Sequence, residues 1–263
     1  MLHIQLLGPV NAWGDGGLLT TNCRPQERLA LAVLADRAEH VVARESFVEG
    51  IWGALPPDSA LPTLYSHISR LRRRLGPHAG LVRAHGGYLL ELRGGTVDSH
   101  RFRSLLEQAS RTGTSPLDAC DLLERALGLW RSVPLGGLNA PWAVRHRDQL
   151  LRLRLRALLR WSDAARACGR AEHAVDALAE LLDEDPLCEP AAARLMACLH
   201  TLGHGAQALR CFARLREDLG HALGHSPGGQ AQAVHALVLR DEPVPADLSS
   251  LVAQRQPPPR HTL

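Results

Sequence analysis

The composition and the hydrophobic period of the sequence change once, near Gly94 and Gly95, and this change limits the folds that the chain can adopt. Before it, short apolar runs are separated by Gly and Pro, a pattern typical of strands and short helices. After it, Ala, Leu and Arg recur with a helical period over long stretches, and no strand is predicted. We therefore expect a mixed N-terminal domain and an all-helical second domain, with the glycine pair as a hinge.

The N-terminal part is predicted to hold a small antiparallel sheet, then three helices and a β-hairpin. The third helix carries leucine and isoleucine at alternating spacings of three and four, which is the apolar stripe of an amphipathic helix. The hairpin turns at Gly86 and Gly87. Three helices and a hairpin in this order predict a winged helix-turn-helix. Strands are predicted over residues 3–8, 10–13, 18–21, 41–42, 81–84 and 88–92, and helices over 26–38, 44–52 and 61–75.

The helical part is predicted to contain paired helices. Shifting the sequence by 34 residues superposes Gly169 on Gly203 and Ala174 on Ala208, which is the period of tetratricopeptide repeats. The expected fold class is an α+β winged helix-turn-helix followed by an all-α tetratricopeptide-like domain. These domains are predicted at residues 1–93 and 98–240, and a flexible proline-rich tail at 241–263. Helices are predicted over residues 99–111, 116–130, 142–168, 171–185, 189–202, 206–219 and 228–240.

The outer face of the third helix is the strongest candidate binding site. Opposite its leucine stripe, hydroxyl groups lie toward the N-terminal end and guanidinium groups toward the C-terminal end, and no acid occurs between Asp58 and Glu91. Short side chains permit close approach to a major groove, where arginine can bond guanine or phosphate. The alternative is a solvated charged face. The candidate DNA-binding residues of this helix are Thr63, Ser66, Ser69, Arg70, Arg72, Arg73 and Arg74.

Two further basic regions are candidates for contact with nucleic acid. Arg83 and His85 lie beside the hairpin tip, where a wing could reach a minor groove or the DNA backbone, although a plain β-turn explains them equally well. Arg152, Arg156 and Arg160 share one face of a later helix. For these three we favour a solvated face, and contact with DNA phosphates or with an acidic partner protein is the alternative.

The residue composition disfavours several enzyme classes. All 30 basic residues are arginine, so a Walker-type phosphate loop or a Schiff base, both of which need lysine, is not expected. Two histidine pairs have i, i+4 spacing, but each straddles a glycine at which a helix is expected to end, so no metal site is predicted. No hydrolase or metalloprotease motif occurs, and we expect neither enzyme activity nor a cofactor. The two pairs are His200 with His204 and His221 with His225.

The cysteine and charge patterns bear on compartment and partners. Six cysteines without any Cys-x-x-Cys pair indicate a reduced, cytoplasmic protein. The N-terminus lacks a basic leader, and no apolar run is long enough to span a bilayer, so no membrane partner is expected. The formal net charge is only +3. Residues 59–93, however, carry six arginines and one acid, which favours a polyanionic partner there.

Several short motifs together resemble the OmpR-like winged-helix domain of the SARP family of bacterial antibiotic regulatory proteins. The helical part, especially residues 203–220 and 223–227, resembles the bacterial transcriptional activator domain that follows in that family. The resemblance runs over residues 3–240, and it is to the short members that lack an ATPase module. The winged-helix motifs are Leu-Leu-Gly-Pro at residues 6–9, Gln-Glu-Arg at 26–28, Ile-Trp-Gly at 51–53, Thr-Leu at 63–64, Ser-Arg-Leu-Arg-Arg at 69–73 and Gly-Tyr-Leu at 87–89.

The resemblance implies a cytoplasmic, sequence-specific transcriptional activator. Such a protein binds direct repeats in promoter double-stranded DNA, recruits RNA polymerase holoenzyme and switches on a secondary-metabolite, typically antibiotic, gene cluster. Residues 61–75 would be the recognition helix and residues 53–60 the loop that faces the polymerase, and a homodimer on DNA is a candidate assembly. This chain departs from the family at Tyr65 and His67, where Gln and Tyr are more usual, and at residues 23–28, where a lysine is usual. These departures bear on the cognate DNA sequence.

Two functions from other classes remain as alternatives. A protein-interaction adaptor could use the tetratricopeptide-like domain, since such repeats normally bind proteins. A ligand-gated repressor could hold an effector in the helical domain.

Overall fold

The computed structural model describes residues 1–248 and 250–253. By their contacts, these residues form two compact units that alternate along the chain. The first comprises Met1–Glu107 and Arg125–Leu155, and the second comprises Gln108–Glu124 and the described residues from Arg156 onward. None of the described helices has the length and apolar character that crossing a membrane requires.

The first unit begins with a four-stranded sheet in the order β3-β2-β1-β7. Strand β1 runs antiparallel to β2, with Ile4 opposite Ala12, and parallel to β7, with Ile4 opposite Val97. Ile4, Ala12 and Val97 are buried, so this register places one apolar face of the sheet in the core. The strands are β1 (His3–Gln5), β2 (Asn11–Gly14), β3 (Gly17–Leu18) and β7 (Thr96–Val97).

The winged helix follows the predicted order of three helices and a hairpin. Leu34, Phe47, Leu64 and Ile68 from the three helices are buried, and Phe47 meets Tyr88 of the hairpin edge to face at 6.1 Å between ring centroids. Leu61, predicted on the buried stripe, is instead 43% exposed because it lies in the first helical turn. The elements are α1 (Pro25–Asp36), β4 (Val42–Ala43), α2 (Arg44–Trp52), α3 (Ala60–Leu75), β5 (Gly80–Ala84) and β6 (Gly87–Glu91).

The predicted hinge at Gly94 and Gly95 is wrong. The Thr96 amide donates to the Leu2 carbonyl at 2.9 Å, and a Cβ added to Gly95 would lie 2.6 Å from that same carbonyl oxygen. Two residues later, the buried Asp98 carboxylate accepts hydrogen bonds from the amides of Leu6 and Leu7, at 2.7 and 3.0 Å. Strand β7 was missed because two residues are too few to show a period.

Helices make up the rest of the described chain, as predicted. Gly169 and Gly203 have φ values of +79° and +80° and precede α7 and α9 respectively, while Ala174 and Ala208 are fully buried one turn inside those helices. The 34-residue repeat therefore corresponds to equivalent positions in two helix pairs. The helices are α4 (Asp98–Ala109), α5 (Pro116–Leu127), α6 (Pro141–Ala167), α7 (Ala171–Glu184), α8 (Glu189–Thr201), α9 (Gly205–Leu223), α10 (Gly229–Leu239) and α11 (Ser250–Ala253).

The start of the predicted tail packs on the second unit. Leu248 is fully buried, and the Arg166 guanidinium donates to the carbonyl of Val244 at 2.9 Å and to that of Ala246 at 3.0 Å. Residues 249 and 254–263 of the predicted flexible tail lie outside the described residues. The domain boundaries at 93 and 98 stay a prediction from the sequence.

Candidate nucleic-acid interface

The hydroxyl groups of α3 lie before its arginines in the sequence, from its first turn to its middle. Ser66 and Ser69 are exposed, and Thr63 is half-buried. The Ser66 hydroxyl donates to the Pro62 carbonyl of its own helix at 3.2 Å, so it retains acceptor capacity toward a ligand. The helix ends at Gly76, whose φ of +51° suits a residue without a Cβ. This half of α3 is narrow and polar, which a groove-binding helix requires.

The arginines of α3 are not all free, because a buried carboxylate from α1 reaches them. Glu27 is 1% exposed, and its Oε1 lies 3.2 Å from Nη1 of Arg70. Its Oε2 lies 3.7 Å from Nε of Arg74. The Nη1 and Nη2 groups of Arg74 also donate to the carbonyls of Thr21 at 2.6 Å and Asn22 at 3.2 Å. The expectation of a face without acids was therefore wrong for these two arginines. The two guanidinium groups and one carboxylate retain a net charge of about +1.

Arg72 and Arg73 differ from that pair. The Nε of Arg72 donates to the Leu81 carbonyl at 2.7 Å, so this side chain links α3 to the first strand of the hairpin while staying exposed. The Arg73 side chain is exposed and makes no hydrogen bond or ion pair with the described residues. Of the four predicted arginines on α3, Arg73 is the one whose charge faces only solvent.

The hairpin presents both of its predicted contact residues. Arg83 lies in β5 opposite Tyr88, and His85 lies in the turn, and both side chains are exposed. Gly86 has φ +76°, and its carbonyl accepts from the Arg44 amide at 3.1 Å. A Cβ on Gly87 would lie 2.0 Å from the Val42 carbonyl oxygen, so glycine is required for this close approach. The glycines thus dock the wing against the start of α2.

Sequence reasoning missed one pair beside this face, Arg44 and Tyr65. Nη1 of Arg44, at the start of α2, lies 3.4 Å from the Tyr65 hydroxyl of α3. The Tyr65 side chain is 40% exposed. Arg44 is the first residue of α2, the helix that precedes α3. A basic residue at this position is the sequence signal that could have identified it. The pair adds one cation and one hydroxyl to the edge of the candidate interface.

His67 lies on the inner side of α3. It is buried, and neither ring nitrogen has a hydrogen-bond partner among the described residues. Burial lowers the pKa of His67, an effect that nearby Glu27 opposes and that Arg70 and Arg24 reinforce. The neutral imidazole is therefore the favoured form, and it behaves as a core side chain.

The arginines of α6 differ in their surroundings, and two of them contact residues of their own unit. Arg160 donates to the Ser110 hydroxyl at 2.7 Å and to the Ala109 carbonyl at 3.2 Å. Arg154 lies over the Trp130 ring, with its guanidinium carbon 5.4 Å from the ring centroid. Arg152 and Arg156 are exposed. Arg152 and Arg156 thus fit the favoured interpretation of a solvated face, whereas Arg160 is held by its hydrogen bonds to Ser110 and Ala109.

The described residues hold no cluster of potential metal ligands. Within residues 1–248 and 250–253, no three His, Cys, Asp or Glu side chains are grouped so that they could hold a metal ion. All six cysteines are free thiols. Polar and cationic side chains of α3 and the wing thus form the main candidate site.

Two family descriptions match the sequence. Residues 20–90 match "Transcriptional regulatory protein, C terminal", and residues 97–239 match "Bacterial transcriptional activator domain". The second match covers more than half of the chain. Together the two matches reproduce the order of a winged-helix region and a helical region.

Several curated proteins are similar over nearly all of this chain. The regulatory protein AfsR of Streptomyces coelicolor is 35% identical, in an alignment covering 96% of this chain and 26% of AfsR. The transcriptional regulator RedD of the same organism is 32% identical, with 92% and 72% covered. The regulatory protein DnrI of Streptomyces peucetius is 31% identical, with 92% and 93% covered. The chain therefore spans about a quarter of AfsR and most of RedD and DnrI.

A solved structure of Mycobacterium tuberculosis EmbR, in complex with a low affinity phosphopeptide, has a similar fold. The TM-score is 0.84 at 27% sequence identity, covering 96% of this chain and 68% of that one. With the family matches, this similarity confirms the predicted fold class, a winged helix followed by an all-helical tetratricopeptide-like domain.

Proposed function

Because the chain belongs to the SARP family of bacterial antibiotic regulatory proteins, we propose that it is a sequence-specific, DNA-binding transcriptional activator. The observation that carries this proposal is the exposed face of α3, where Ser66 and Ser69 lie with Arg73, which has no ion-pair partner among the described residues. Hydroxyl groups and arginine at the surface of a winged helix suit both base edges and phosphates.

The arginines have different roles in this proposal. Arg73 supplies the base or phosphate contact from α3, and Thr63, Ser66 and Ser69 line the part of the helix that enters the major groove. Arg72, held against β5, and Arg83 and His85 of the wing contact the backbone or an adjacent minor groove. Arg70 and Arg74 contribute mainly through their remaining net charge, since Glu27 holds them.

Activation needs a second surface, and the loop between α2 and α3 is our proposal for it. Leu55 in this loop is 91% exposed, and the neighbouring residues 56–58 are exposed as well. An exposed leucine on a loop beside a DNA-binding helix suits contact with another protein. We propose that residues 53–60 face RNA polymerase holoenzyme bound at the same promoter.

The remaining elements of the proposal concern the biological setting. The protein acts in the cytoplasm by binding rather than by catalysis, on direct repeats near the promoter of a secondary-metabolite gene cluster. Two copies of the chain bound in tandem, with their winged helices in the same orientation, would match two adjacent direct repeats. Family membership supports these points.

A footprint over the intergenic DNA beside the gene tests the proposal. We expect protection of two direct repeats, with affinity well above that for unrelated DNA, and increased transcription from that promoter with purified polymerase. Weak binding that is the same for all DNA sequences would contradict it and would favour the adaptor. Specific protection with reduced transcription would favour the repressor.

A further inference from the structure

A cavity of about 390 Å³ opens between α7, α8 and α9 of the second unit. Its volume lies within the range of small-molecule sites in proteins. Most of the lining is apolar and comes from all three helices. The apolar side chains that line it include Val175, Ala179, Leu182, Leu195, Leu199 and Leu215.

The charged residues at this cavity fall into two groups. Arg214 lies 3.5 Å from Asp183 and 3.8 Å from Asp218, so this group of one guanidinium and two carboxylates carries a net charge of about −1. Arg210 and Gln207, one and two turns earlier on α9, also line the cavity and are exposed. Neither side chain has a hydrogen-bond or ion-pair partner in the part of the chain that the structure describes. The cavity therefore combines a mainly apolar lining with a guanidinium and an amide whose donors are not used by the described residues.

We propose that this cavity binds a small, mainly apolar molecule that carries one carboxylate group. The guanidinium of Arg210 presents donors in the fork geometry that a carboxylate accepts, and the Gln207 amide can donate to the same group. The hydrocarbon part of the ligand would lie among the leucines, where removal of apolar surface from water stabilises the complex. This inference is independent of DNA binding, since all lining residues belong to the second unit.

The alkylation rate of the Cys211 thiol can report whether the cavity is occupied. Its thiol lines the wall, half-buried, and lies 3.9 Å from the Ala192 carbonyl oxygen. Burial raises the pKa of the Cys211 thiol to about 11, so alkylation proceeds slowly at neutral pH, because the thiolate is the reactive form. A bound molecule will slow it further, whereas alkylation of Cys23, in the other unit, will not respond.

Calorimetric titration of the full chain with octanoate and with 1-octanol tests the proposal. We expect saturable one-to-one binding of octanoate, and weaker binding of the uncharged alcohol. Arg210→Gln should weaken octanoate binding by about 10- to 100-fold, the range for a hydrogen bond to a charged group, and leave octanol unaffected. Arg216→Gln, an exposed arginine of the same helix outside the cavity, is the matched control and should change nothing.

Two results would overturn the inference. One is that octanoate neither binds nor protects Cys211 from iodoacetamide, measured by mass spectrometry of the wild-type chain. The other is that octanoate binds equally to the wild type and to Arg210→Gln. Ala179→Phe, which places a ring in the cavity, should abolish binding of both probes. Because the protection measurement uses the unaltered chain, the proposal stays testable even if that variant fails to fold.

Discussion

A buried carboxylate divides the arginines of α3 into two classes. Glu27 is held on α1, and it pairs with Arg70 and Arg74, whereas Arg73 points to solvent. The sequence predicted which side of α3 is cationic, because that follows from the helical period alone. It could not predict the pairing, because Glu27 lies 43 residues before Arg70 and only the packing of α1 against α3 brings them together.

Replacing Glu27 tests how this pairing affects DNA binding. Glu27→Gln releases two guanidinium groups, so binding to unrelated DNA should tighten and its dependence on salt should steepen by about one to two phosphate contacts. The ratio of specific to non-specific affinity should fall. Fluorescence anisotropy over a range of salt concentrations measures both quantities.

Glu45→Gln is the matched control, since it removes an exposed carboxylate from α2 and changes the net charge equally. Equal salt slopes for the two variants would contradict the proposed role of Glu27.

His67 gives the winged helix a pH-dependent stability. Burial lowers the pKa of His67 below its usual 6.5, so at mildly acidic pH the unfolded chain binds a proton more readily than the folded chain. The free energy of unfolding should therefore decline as the pH falls through about 6.5, and His67→Phe should reduce that decline. His235, whose pKa is also lowered by burial, should account for part of what remains.

Urea unfolding of the full chain at a series of pH values measures this effect. His85→Ala, at the exposed turn of the wing, is the control and should keep the wild-type slope. A His67→Phe chain whose stability depends on pH as strongly as the wild type's would show that His67 binds protons equally in the folded and unfolded states.

At the scale of secondary-structure elements, the sequence predicted the helices and strands that are long enough to show a hydrophobic period. The stripe of α3 and the helices from α4 to α10 lie where the apolar spacing placed them, within a few residues at each end. Strand β7 was missed because it is too short to show a period. A hinge was predicted beside it because glycine pairs occur both in flexible links and at close backbone contacts. The contact of Gly95 with the Leu2 carbonyl depends on tertiary packing.

Asp98 anchors β7 and the start of α4 to the N-terminal sheet. Asp98→Ala would leave the amides of Leu6 and Leu7 buried without acceptors, at a cost of about 1–3 kcal/mol each. We expect a corresponding loss in the free energy of unfolding. Asp98→Asn keeps one side-chain acceptor and should lose less. Chemical denaturation measures the difference, and an unchanged midpoint for Asp98→Ala would contradict this assignment.

At the scale of the whole molecule, the sequence boundary between the predicted domains does not coincide with the division into compact units. Asp36, at the end of α1, lies 3.0 Å from the His146 ring nitrogen on α6 and 3.4 Å from Arg103 on α4. Burial raises the pKa of Asp36, but the hydrogen bond and charge of His146 together with the charge of Arg103 outweigh it, so the pKa is lowered. The first unit thus includes residues 98–107 and 125–155 of the predicted helical domain, which composition alone could not indicate.

The most direct test of the central claim is the affinity of Arg73→Ala for DNA selected by the wild-type protein from a random pool. We predict a loss of about 1–3 kcal/mol on the selected sequence, or a salt slope reduced by about one if the contact is to phosphate. Arg101→Ala, at an exposed position of α4, should bind as the wild type does. Selection of no preferred sequence, or an Arg73→Ala protein with unchanged affinity and salt dependence, would contradict the assignment of α3 as the recognition helix.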